Sequence, residues 1–310
     1  MDGVIIANKP MGLTSSQICL RVKKTLRIQK VGHLGTLDPL ATGVLPLCLN
    51  QGTKLVQFLL KQDKEYIGTM RLGIETDTHD SLGKVLKETT DVPQDRARIR
   101  TAFHSFIGEQ FQTPPMFSAI KQNGVPLYKI ARKGETVPRR QRAITVHGLD
   151  IICCDLPLIT FRTVCSHGTY IRTLCHDIGR KLGCGAHLTA LQRTRNGAFH
   201  IAKAVSLQDI QLCSREELEQ KHLIAPREAL NGMPEVVLDS ALEHKVRNGA
   251  IITAGDAATI TLPAAAQGRF IKLLSFCGML IGVAVLTATP ETVTSGSSTA
   301  PLWKLQRIWN

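Results

Sequence analysis

The segment Gly32–Pro46 constrains this chain more than any other, because it puts a single carboxylate in a loop rich in glycine and proline. Three of its fifteen residues are glycines and two are prolines. Glycine reaches backbone angles that other residues adopt only with strain, and Pro39 fixes the backbone directly after Asp38. The composition therefore predicts that the Asp38 carboxylate is held in one defined pose.

Two interpretations of Asp38 are open from this loop alone. Its side chain can close an Asx turn by bonding to its own backbone, or it can be a displayed reactive group. The loop composition favours the Asx turn, since aspartate is common in turns for that reason alone. A reactive carboxylate requires support from the rest of the chain.

Positive charge is concentrated in two parts of the sequence. The 310 residues carry a net charge of +13; residues 1–30 hold six basic residues against one acid, and residues 121–142 hold seven against one. Focused positive charge is typical of proteins that bind nucleic acid, whereas a solvated basic face explains either part alone. The two parts together indicate a polyanionic partner.

The cysteines and acids indicate neither a metal site nor a cofactor. The nine cysteines include no CxxC pair, so we expect a reduced chain in which cysteine packs as a small apolar residue. Asp77 and Asp80 lie three residues apart and lack the alternating spacing of an EF-hand calcium loop. Neither a P-loop nor a dinucleotide fingerprint occurs. We therefore expect no metal and no cofactor.

We also expect no membrane segment. The N-terminus is interrupted by Lys9 and Pro10 too early for a signal peptide. The uncharged segment Leu273–Pro290 has roughly the minimum length for a spanning helix, but its turn at Cys277-Gly278 and its β-branched residues favour two short strands. These observations predict a soluble, cytoplasmic protein.

Hydrophobic patterning predicts an α+β fold for the larger part of the chain. A strand at Val4–Ala7 precedes an amphipathic helix at Ser15–Leu26, and a capping box between Thr14 and Gln17 marks the start of that helix. Apolar runs predict further strands, and the pattern also predicts two more helices. The expected strands are Val44–Leu49, Glu65–Leu72, Ile144–Ile152 and Leu158–Cys165, and the expected helices are Arg96–Phe106 and Tyr170–Leu182.

From about Glu235 the pattern changes to short apolar strands separated by Gly, Pro and Ser, which is typical of a small β-barrel. We therefore predict an α+β domain over residues 1–234, with an insertion at about 108–142, and a small barrel over residues 235–310. The strands expected in the barrel are Ala258–Leu262, Phe270–Phe276, Leu280–Leu286 and Leu302–Ile308.

A series of motifs in fixed order gives the chain a family resemblance. Besides NKPMGLTS at Asn8–Ser15 and the Asp38 loop, four long motifs resemble those of bacterial tRNA pseudouridine synthases of the TruB type. They are LGIETDTHDSLG at Leu72–Gly83, PPMFSAIKQNGVPLYKIARKG at Pro114–Gly134, SHGTYIRTLCHDIG at Ser166–Gly179 and AHLTALQRTRNGAF at Ala186–Phe199. The C-terminal part resembles the PUA-type RNA-binding domain of that family.

The resemblance implies a cofactor-free isomerisation of uridine to pseudouridine. The N-glycosidic bond is broken, the base rotates, and C5 of the base is joined to C1′ of the ribose; the family substrate is position 55 in the T loop of tRNA. It also implies a mixed β-sheet catalytic domain of the pseudouridine-synthase type, followed by a PUA-like barrel.

The same resemblance assigns the catalytic residues. Asp38 is then the essential carboxylate, Arg172 is the arginine that pairs with it, and Tyr66 is the tyrosine that packs on the target base. Asp38 can act as a nucleophile or as a base that removes a ribose proton. Both roles stay open, although we favour the base.

A second set of residues is implied to bind the substrate. A flipped nucleotide leaves a gap in the RNA loop, which a flat side chain fills by stacking, and basic residues of the insertion contact phosphates of the T arm. Read without the family, Tyr170 and Leu191 are better explained by core packing, and His33 by hydrogen bonding within the loop. The set comprises His33, Tyr170, Leu191, Lys9, Lys121, Lys129 and Arg132.

Three functions fit these observations. The first is a stand-alone tRNA pseudouridine synthase that acts as a monomer on the T arm. The second is a tRNA-binding or folding helper, which the basic segments would also serve. The third is the catalytic subunit of a guide-RNA pseudouridylation particle, since such subunits share these motifs. The absence of long basic tails argues against the third.

Overall fold

A computed structural model of the protein describes residues 1–257, 262, 268–287 and 301–309. The strands in these residues are β1 (Gly3–Lys9), β2 (Val31–His33), β3 (Thr42–Leu49), β4 (Lys64–Leu72), β5 (Ile74–Thr76), β6 (Val85–Glu88), β7 (Gly108–Gln112), β8 (Lys121–Gln122), β9 (Val125–Pro126), β10 (Arg142–Asp155), β11 (Leu158–Cys165), β12 (Ala186–Asn196), β13 (Phe199–His200), β14 (Val205–Ser206), β15 (Glu235–Val237), β16 (Phe270–Leu274), β17 (Leu280–Leu286) and β18 (Trp303–Ile308).

Helices connect these strands and cover the sheet. The α-helices are α1 (Ser15–Thr25), α2 (Val56–Leu59), α3 (Arg96–His104), α4 (Leu127–Ala131), α5 (Ile171–Leu182), α6 (Leu207–Leu212), α7 (Arg215–Lys221), α8 (Pro226–Ala229) and α9 (Ser240–Arg247). Short 3-10 helices span Asn50–Leu55, Ile201–Lys203 and Ala254–Ala257.

Ten strands form one mixed sheet that organises the first two thirds of the chain. Its order is β14-β1-β3-β12-β4-β11-β10-β7, with β2 paired to β3 and β13 paired to β12. The pairs β1–β14 and β3–β12 are parallel, and the other pairs are antiparallel. The predicted combination of helices with a mixed sheet is confirmed.

Strand β4 lies in the middle of this sheet and shows why its sequence forms a strand. Tyr66, Met70 and Leu72 point into the core with a period of two, which is the side-chain alternation of a pleated strand. The core also takes Phe103 of α3, whose ring meets that of Phe161 in β11 edge to face at 6.0 Å. Strand and helix therefore bury one continuous apolar cluster.

Helix α1 forms as its sequence predicts. The Thr14 hydroxyl accepts from the Gln17 backbone N–H, and the Gln17 side chain accepts from the Thr14 N–H, so the capping box is present. Ile18 and Val22 are fully buried on one face. The rest of the helix surface exposes basic residues, namely Arg21, Lys23 and Lys24.

The C-terminal part differs from the predicted barrel. Its described residues form a four-stranded sheet in the order β15-β16-β17-β18, in which β15 and β18 lie at opposite edges and do not pair with each other. Without that pairing the described strands make an open sheet and not a closed barrel. The expected strand Ala258–Leu262 lies outside the described residues, except for Leu262.

The segment Leu273–Pro290 forms strands where it is described, as the sequence predicts. It contributes the end of β16 and the whole of β17, which pair in antiparallel fashion. Among the described residues, no helix is long and apolar enough to cross a membrane.

The small sheet packs against the larger one. The Lys54 ammonium donates to the Ile308 carbonyl at 2.8 Å, and the Phe58 and Phe270 rings meet edge to face at 5.2 Å. Trp309 is buried in an apolar cluster that also contains Leu55 and other residues of the first part. The two parts therefore share an apolar interface.

Candidate active site

The Asp38 loop is anchored by its own apolar residues. Leu34, Leu37, Leu40 and Ala41 are all buried, so the loop follows the surface of the core although it has no regular structure. The loop turn is closed by the backbone, because the Ala41 N–H donates to the Asp38 carbonyl at 3.0 Å. The Asp38 side chain is therefore free for another partner.

Helix α1 and the turn before it hold the backbone of this loop in place. The Ser15 hydroxyl accepts from the Leu37 N–H at 2.8 Å and donates to the Leu37 carbonyl at 3.2 Å. The Gly12 N–H donates to the Pro39 carbonyl at 2.8 Å. These bonds fix the backbone on both sides of Asp38.

Lys9, which the resemblance assigns to substrate binding, is fully buried. Its ammonium donates to the carbonyls of Ala41 at 2.6 Å, Pro10 at 2.9 Å and Pro39 at 3.4 Å. Burial lowers the pKa of Lys9 to about 8, although the nearby Asp38 carboxylate acts in the opposite direction. Lys9 thus supports the loop from inside and is not exposed to solvent.

Arg193 of β12 holds the other end of the loop, and sequence analysis missed it. Its Nε donates to the Val44 carbonyl at 2.7 Å, and its Nη2 donates to the Gly35 carbonyl at 3.0 Å. A Cβ on Gly43 would lie 2.3 Å from the Arg193 carbonyl, so only glycine lets β3 approach β12 here. The sequence did contain a signal for a role of Arg193, because this charged residue lies within one of the motifs that carry the family resemblance, in a segment that forms a strand.

Asp38 is paired with Arg172, as the resemblance implies. Arg172 Nε donates to Asp38 Oδ2 at 2.8 Å, and Nη2 donates to Oδ1 at 3.2 Å, which makes a bidentate pair. The Arg172 side chain is 4% exposed and that of Asp38 is 37% exposed. A buried guanidinium therefore presents a carboxylate whose outer face is open.

Two further backbone carbonyls share the Arg172 guanidinium. Nη1 donates to the Thr78 carbonyl at 2.8 Å, and Nη2 donates to the Phe117 carbonyl at 2.9 Å. The Asp80 carboxylate lies 3.6 Å from Nε. Arg172 therefore joins the Asp38 loop, the Thr76–Gly83 turn and the start of the insertion at one point.

Arg172 lies at a position of α5 where a positive charge needs nearby acidic side chains. Tyr170 is the N-cap, so Arg172 lies in the first helical turn, where the helix dipole disfavours a cation. Asp38 and Asp80 offset that effect. Sequence analysis considered Asp80 only as a calcium ligand; its place in a matching motif was the signal that it has a structural partner.

A cavity of about 300 Å³ opens beside Asp38. Tyr66 on β4, Tyr170 at the start of α5 and Leu191 on β12 line it, so the structure brings together all three residues that the resemblance assigns to the pocket. Lys64, which sequence analysis did not single out, also lines it and donates to the carbonyls of Leu60 and Gln62. The cavity has aromatic and apolar walls, one carboxylate at its side, and the basic side chains of Lys64 and Arg193 in its lining.

The two tyrosines are neutral phenols at physiological pH. Burial raises the pKa of Tyr66, and it also raises the pKa of Tyr170. The backbone of Tyr170 is held by Gln112, which accepts from its N–H at 2.8 Å and donates to its carbonyl at 3.1 Å. Both rings therefore offer a face and a hydroxyl in fixed positions.

His33 lies at the end of β2, directly before the loop, and does not line the cavity. Burial lowers its pKa, and the nearby Arg193 lowers it further, so the ring is neutral at pH 7. Its neighbour Leu34 is buried in the apolar cluster beneath β3.

The basic insertion is built on a hairpin next to the cavity. Strands β8 and β9 are joined by Asn123 and Gly124, both with positive φ, as a two-residue hairpin turn requires. The basic residues implied to contact phosphates are all exposed here, namely Lys121 in β8, Lys129 in α4 and Arg132 at its C-terminus. The Tyr128 N–H donates to the carbonyl of Ser118, which lines the cavity. The hairpin and the cavity wall are thus one continuous structure.

Within the described residues, no group of three or more His, Cys, Asp or Glu side chains is arranged to hold a metal ion.

Comparison with known proteins agrees with this geometry. Residues 23–171 match the N-terminal domain of the TruB family pseudouridylate synthases, and residues 172–232 match the C-terminal domain of tRNA pseudouridylate synthase B. The tRNA pseudouridine synthase B of Burkholderia pseudomallei (strain 668) is 45% identical over 285 residues, which cover 92% of this chain and 93% of the relative. That of Syntrophus aciditrophicus (strain SB) is 39% identical over 310 residues, which cover 100% and 99%.

Solved structures share the fold. A crystal structure of a Cbf5-Nop10-Gar1 complex matches 99% of this chain and 84% of that chain, with a TM-score of 0.74 and 27% identity. A structure of an H/ACA RNP bound to a substrate RNA containing 2′-deoxyuridine matches with a TM-score of 0.72 and 25% identity, and covers 99% and 84%. Since the sequence identity to the relatives extends over nearly the whole chain, the protein belongs to the TruB family of pseudouridylate synthases.

Proposed function

We propose that this protein isomerises uridine to pseudouridine at position 55 in the T loop of tRNA, without a cofactor. The observation that carries the proposal is the bidentate Asp38–Arg172 pair at the side of an open cavity with aromatic walls. The relatives named tRNA pseudouridine synthase B support the tRNA substrate.

The reaction needs little more than a placed carboxylate. The bond between N1 of the base and C1′ of the ribose is broken, a bond between C5 and C1′ is formed, the proton on C5 leaves, and N1 gains one proton. Atoms and electrons balance within the nucleotide, so neither an oxidant nor a group donor is required. A carboxylate can attack C1′ as a nucleophile or remove a ribose proton as a base.

The contacts of Asp38 suit either role. Arg172 engages both carboxylate oxygens from the buried side, which orients the group, and the remaining lone pairs face the cavity. Tyr66 offers its ring as a stacking face for an extruded uracil, and Leu191 offers an apolar wall.

RNA binding is proposed for the exposed basic residues around this cavity. Lys121, Lys129 and Arg132 belong to the hairpin and helix that adjoin the cavity wall, and α1 exposes further basic residues. Phosphate contacts of this kind give affinity and register, while the cavity selects the nucleotide.

We further propose His33 as a residue that stacks within the RNA loop, residues 1–234 as the catalytic domain and residues 235–310 as a PUA-like RNA-binding domain. Its tRNA substrate also leads us to propose a cytoplasmic location.

A guide-RNA particle is the second candidate, because structures of Cbf5 complexes share this fold. The higher identity to tRNA pseudouridine synthase B relatives over the whole chain favours action on tRNA without a guide. The two candidates differ in what the purified protein can do alone.

The proposal is tested by incubating the purified protein with an unmodified tRNA transcript and with an isolated T-arm stem-loop, then mapping pseudouridine. We expect one modified position, in the T loop, in both RNAs and without added protein or guide RNA. Modification that required a guide RNA would favour the particle subunit. No modification under any of these conditions would reject the proposed activity.

The basic insertion gives a prediction about salt. Replacing Lys121 and Arg132 together by alanine should weaken tRNA binding about 10-fold at low salt and reduce the slope of log K against log salt by about two, because each phosphate contact contributes about one. Binding is measured by filter retention between 50 and 300 mM KCl.

The matched control for that variant removes two basic residues elsewhere, Lys87 and Arg215, which lie in β6 and at the start of α7. The control should keep the slope of the wild type. An unchanged slope in the Lys121 and Arg132 variant would exclude these residues from the phosphate contacts.

A further inference from the structure

Two histidines form a parallel stack next to the catalytic pair. The rings of His79 and His176 have their centroids 4.0 Å apart, and their planes differ by 1°. His79 belongs to the Thr76–Gly83 turn, and His176 belongs to α5. The stack therefore joins two segments that lie far apart in the sequence.

The stack lies on the same side of α5 as Arg172. His176 follows Arg172 by four residues, so the two side chains project from one face of the helix, one turn apart. The second ring of the stack, that of His79, lies between two residues that contact Arg172. The Thr78 carbonyl accepts from Arg172, and the Asp80 carboxylate lies 3.6 Å from Arg172 Nε. His79 is thus flanked in the sequence by two contacts of the guanidinium, and His176 lies one helical turn from Arg172 itself.

Hydrogen bonds inside the turn fix its shape. The Thr78 hydroxyl donates to Asp80 Oδ1 at 2.6 Å, and the Leu82 N–H donates to the same oxygen at 3.0 Å. Backbone bonds join the turn to β12, because the Leu188 N–H donates to the His79 carbonyl and the Ser81 N–H donates to the Leu188 carbonyl. None of these bonds reaches α5.

The ring stack is thus a direct contact between this turn and α5, beside the guanidinium itself. The Nδ1 atoms of both rings are buried without a hydrogen-bond partner among the described residues. Hydrogen bonds from these atoms therefore do not explain the orientation of the two rings. His79 adopts a left-handed backbone with φ of +62°, a costly conformation for a residue other than glycine. The turn bears this strain and keeps the ring against His176.

Stacking requires neutral rings, and the surroundings keep them neutral. Burial lowers the pKa of His79 to about 3, with further lowering by His176, Arg172, Arg139 and Arg180. Burial also lowers the pKa of His176, with Arg180 acting in the same direction and Glu75 against it. Two uncharged imidazoles at 4.0 Å attract, whereas two imidazolium ions would repel.

We propose that the His79–His176 stack positions Arg172, and through it Asp38, for the isomerisation. The stack sets the distance between the turn and α5, so that the Thr78 carbonyl and the Asp80 carboxylate meet the guanidinium while its Nε and Nη2 remain on Asp38. This inference rests on the proposed function for its kinetic consequence, and on the contacts above for its structural one.

The test compares two substitutions at His176. His176→Phe keeps a flat ring at a helical position, whereas His176→Ala removes the ring without weakening the helix. We expect His176→Ala to lower the single-turnover rate on tRNA about 10-fold while the Kd for tRNA changes less than about twofold, since small misplacements of catalytic groups cost rate and not affinity. His176→Phe should retain at least about half of the wild-type rate.

A third variant removes the other ring. His79→Asn suits the left-handed backbone, because asparagine tolerates that region, and it takes away the stacking face. It should reproduce the loss seen with His176→Ala, and the double variant should lose no more than either single one, because both remove the same contact. Equal rates in His176→Ala and the wild type, or in His176→Phe and His176→Ala, would overturn the proposal.

A readout without turnover separates this inference from the proposed activity. If the stack acts through Arg172, then combining His176→Ala with Arg172→Lys should lower the melting temperature less than the sum of the two single effects. Strict additivity of the melting temperatures would overturn the coupling. An inactive wild type would instead reject the proposed function and leave this thermal test to decide the inference.

Discussion

Asp38→Asn is expected to abolish pseudouridine formation, with a fall in the single-turnover rate of at least about 10⁴-fold. The amide has nearly the shape of the carboxylate, but it can act neither as a nucleophile towards C1′ nor as a base towards a ribose proton. One of its two positions facing Arg172 would also be an NH₂ group, which cannot accept from a guanidinium N–H. The rate is measured by tritium release from C5-labelled tRNA.

Two further variants separate the effect of the charge from that of its position. Asp38→Glu keeps the carboxylate but moves it by one methylene, so we expect a loss of about 10²-fold. Asp150→Asn makes the same change in charge at an exposed position of β10 and should keep the wild-type rate. Wild-type modification by Asp38→Asn would contradict the proposed role of this residue.

The same variant distinguishes an enzyme from a tRNA-binding or folding helper. Asp38 lies at the side of a cavity and not among the exposed basic residues, so its replacement by a neutral residue should leave the Kd for tRNA within about threefold of the wild type. A protein whose purpose were binding alone would keep its full effect in cells after this change.

Local interactions explain which elements could be predicted from the sequence. The start of α1 was predicted because the capping box joins Thr14 and Gln17, which are three residues apart, and the apolar stripe of Ile18 and Val22 repeats within one turn. The strand character of β4 followed from its alternation. Such patterns are complete within about ten residues, so they can be recognised in the sequence without knowledge of the fold.

The site depends on contacts between distant residues, which spacing does not reveal. Arg172 meets Asp38, Thr78 and Phe117 across 134, 94 and 55 residues of sequence. The family motifs named the pair with Asp38, but the two carbonyls appear only in the structure. From the sequence, Arg172 alone would be a surface helix arginine, and burial reverses that reading.

Lys9 shows the opposite error. The resemblance places it in the substrate-binding set, yet three carbonyls converge on its ammonium inside the protein. Every residue has a backbone carbonyl, so the sequence does not indicate which carbonyls meet at one point in the fold. The predicted barrel is not confirmed for a related reason: its described strands form an open sheet, and short apolar strands indicate a sheet without indicating whether its edges pair.

Arg172→Lys is expected to lower the single-turnover rate roughly 10²- to 10³-fold although the positive charge is kept. A lysine ammonium cannot bond both Asp38 oxygens in the plane of a fork and also reach the Thr78 and Phe117 carbonyls, which lie on different sides of the guanidinium. Asp38 would then lose its fixed orientation, and Asp80, which is buried, would lose part of its counter-charge. We therefore also expect a melting temperature several degrees lower.

Arg180→Lys is the matched control, because it makes the same substitution at an exposed position of α5. It should keep both the rate and the melting temperature of the wild type. The Kd for tRNA should be unchanged in both variants, since neither residue belongs to the exposed basic insertion. If Arg172→Lys kept the full rate, a point charge near Asp38 would suffice, and the bidentate geometry would have no part in the reaction.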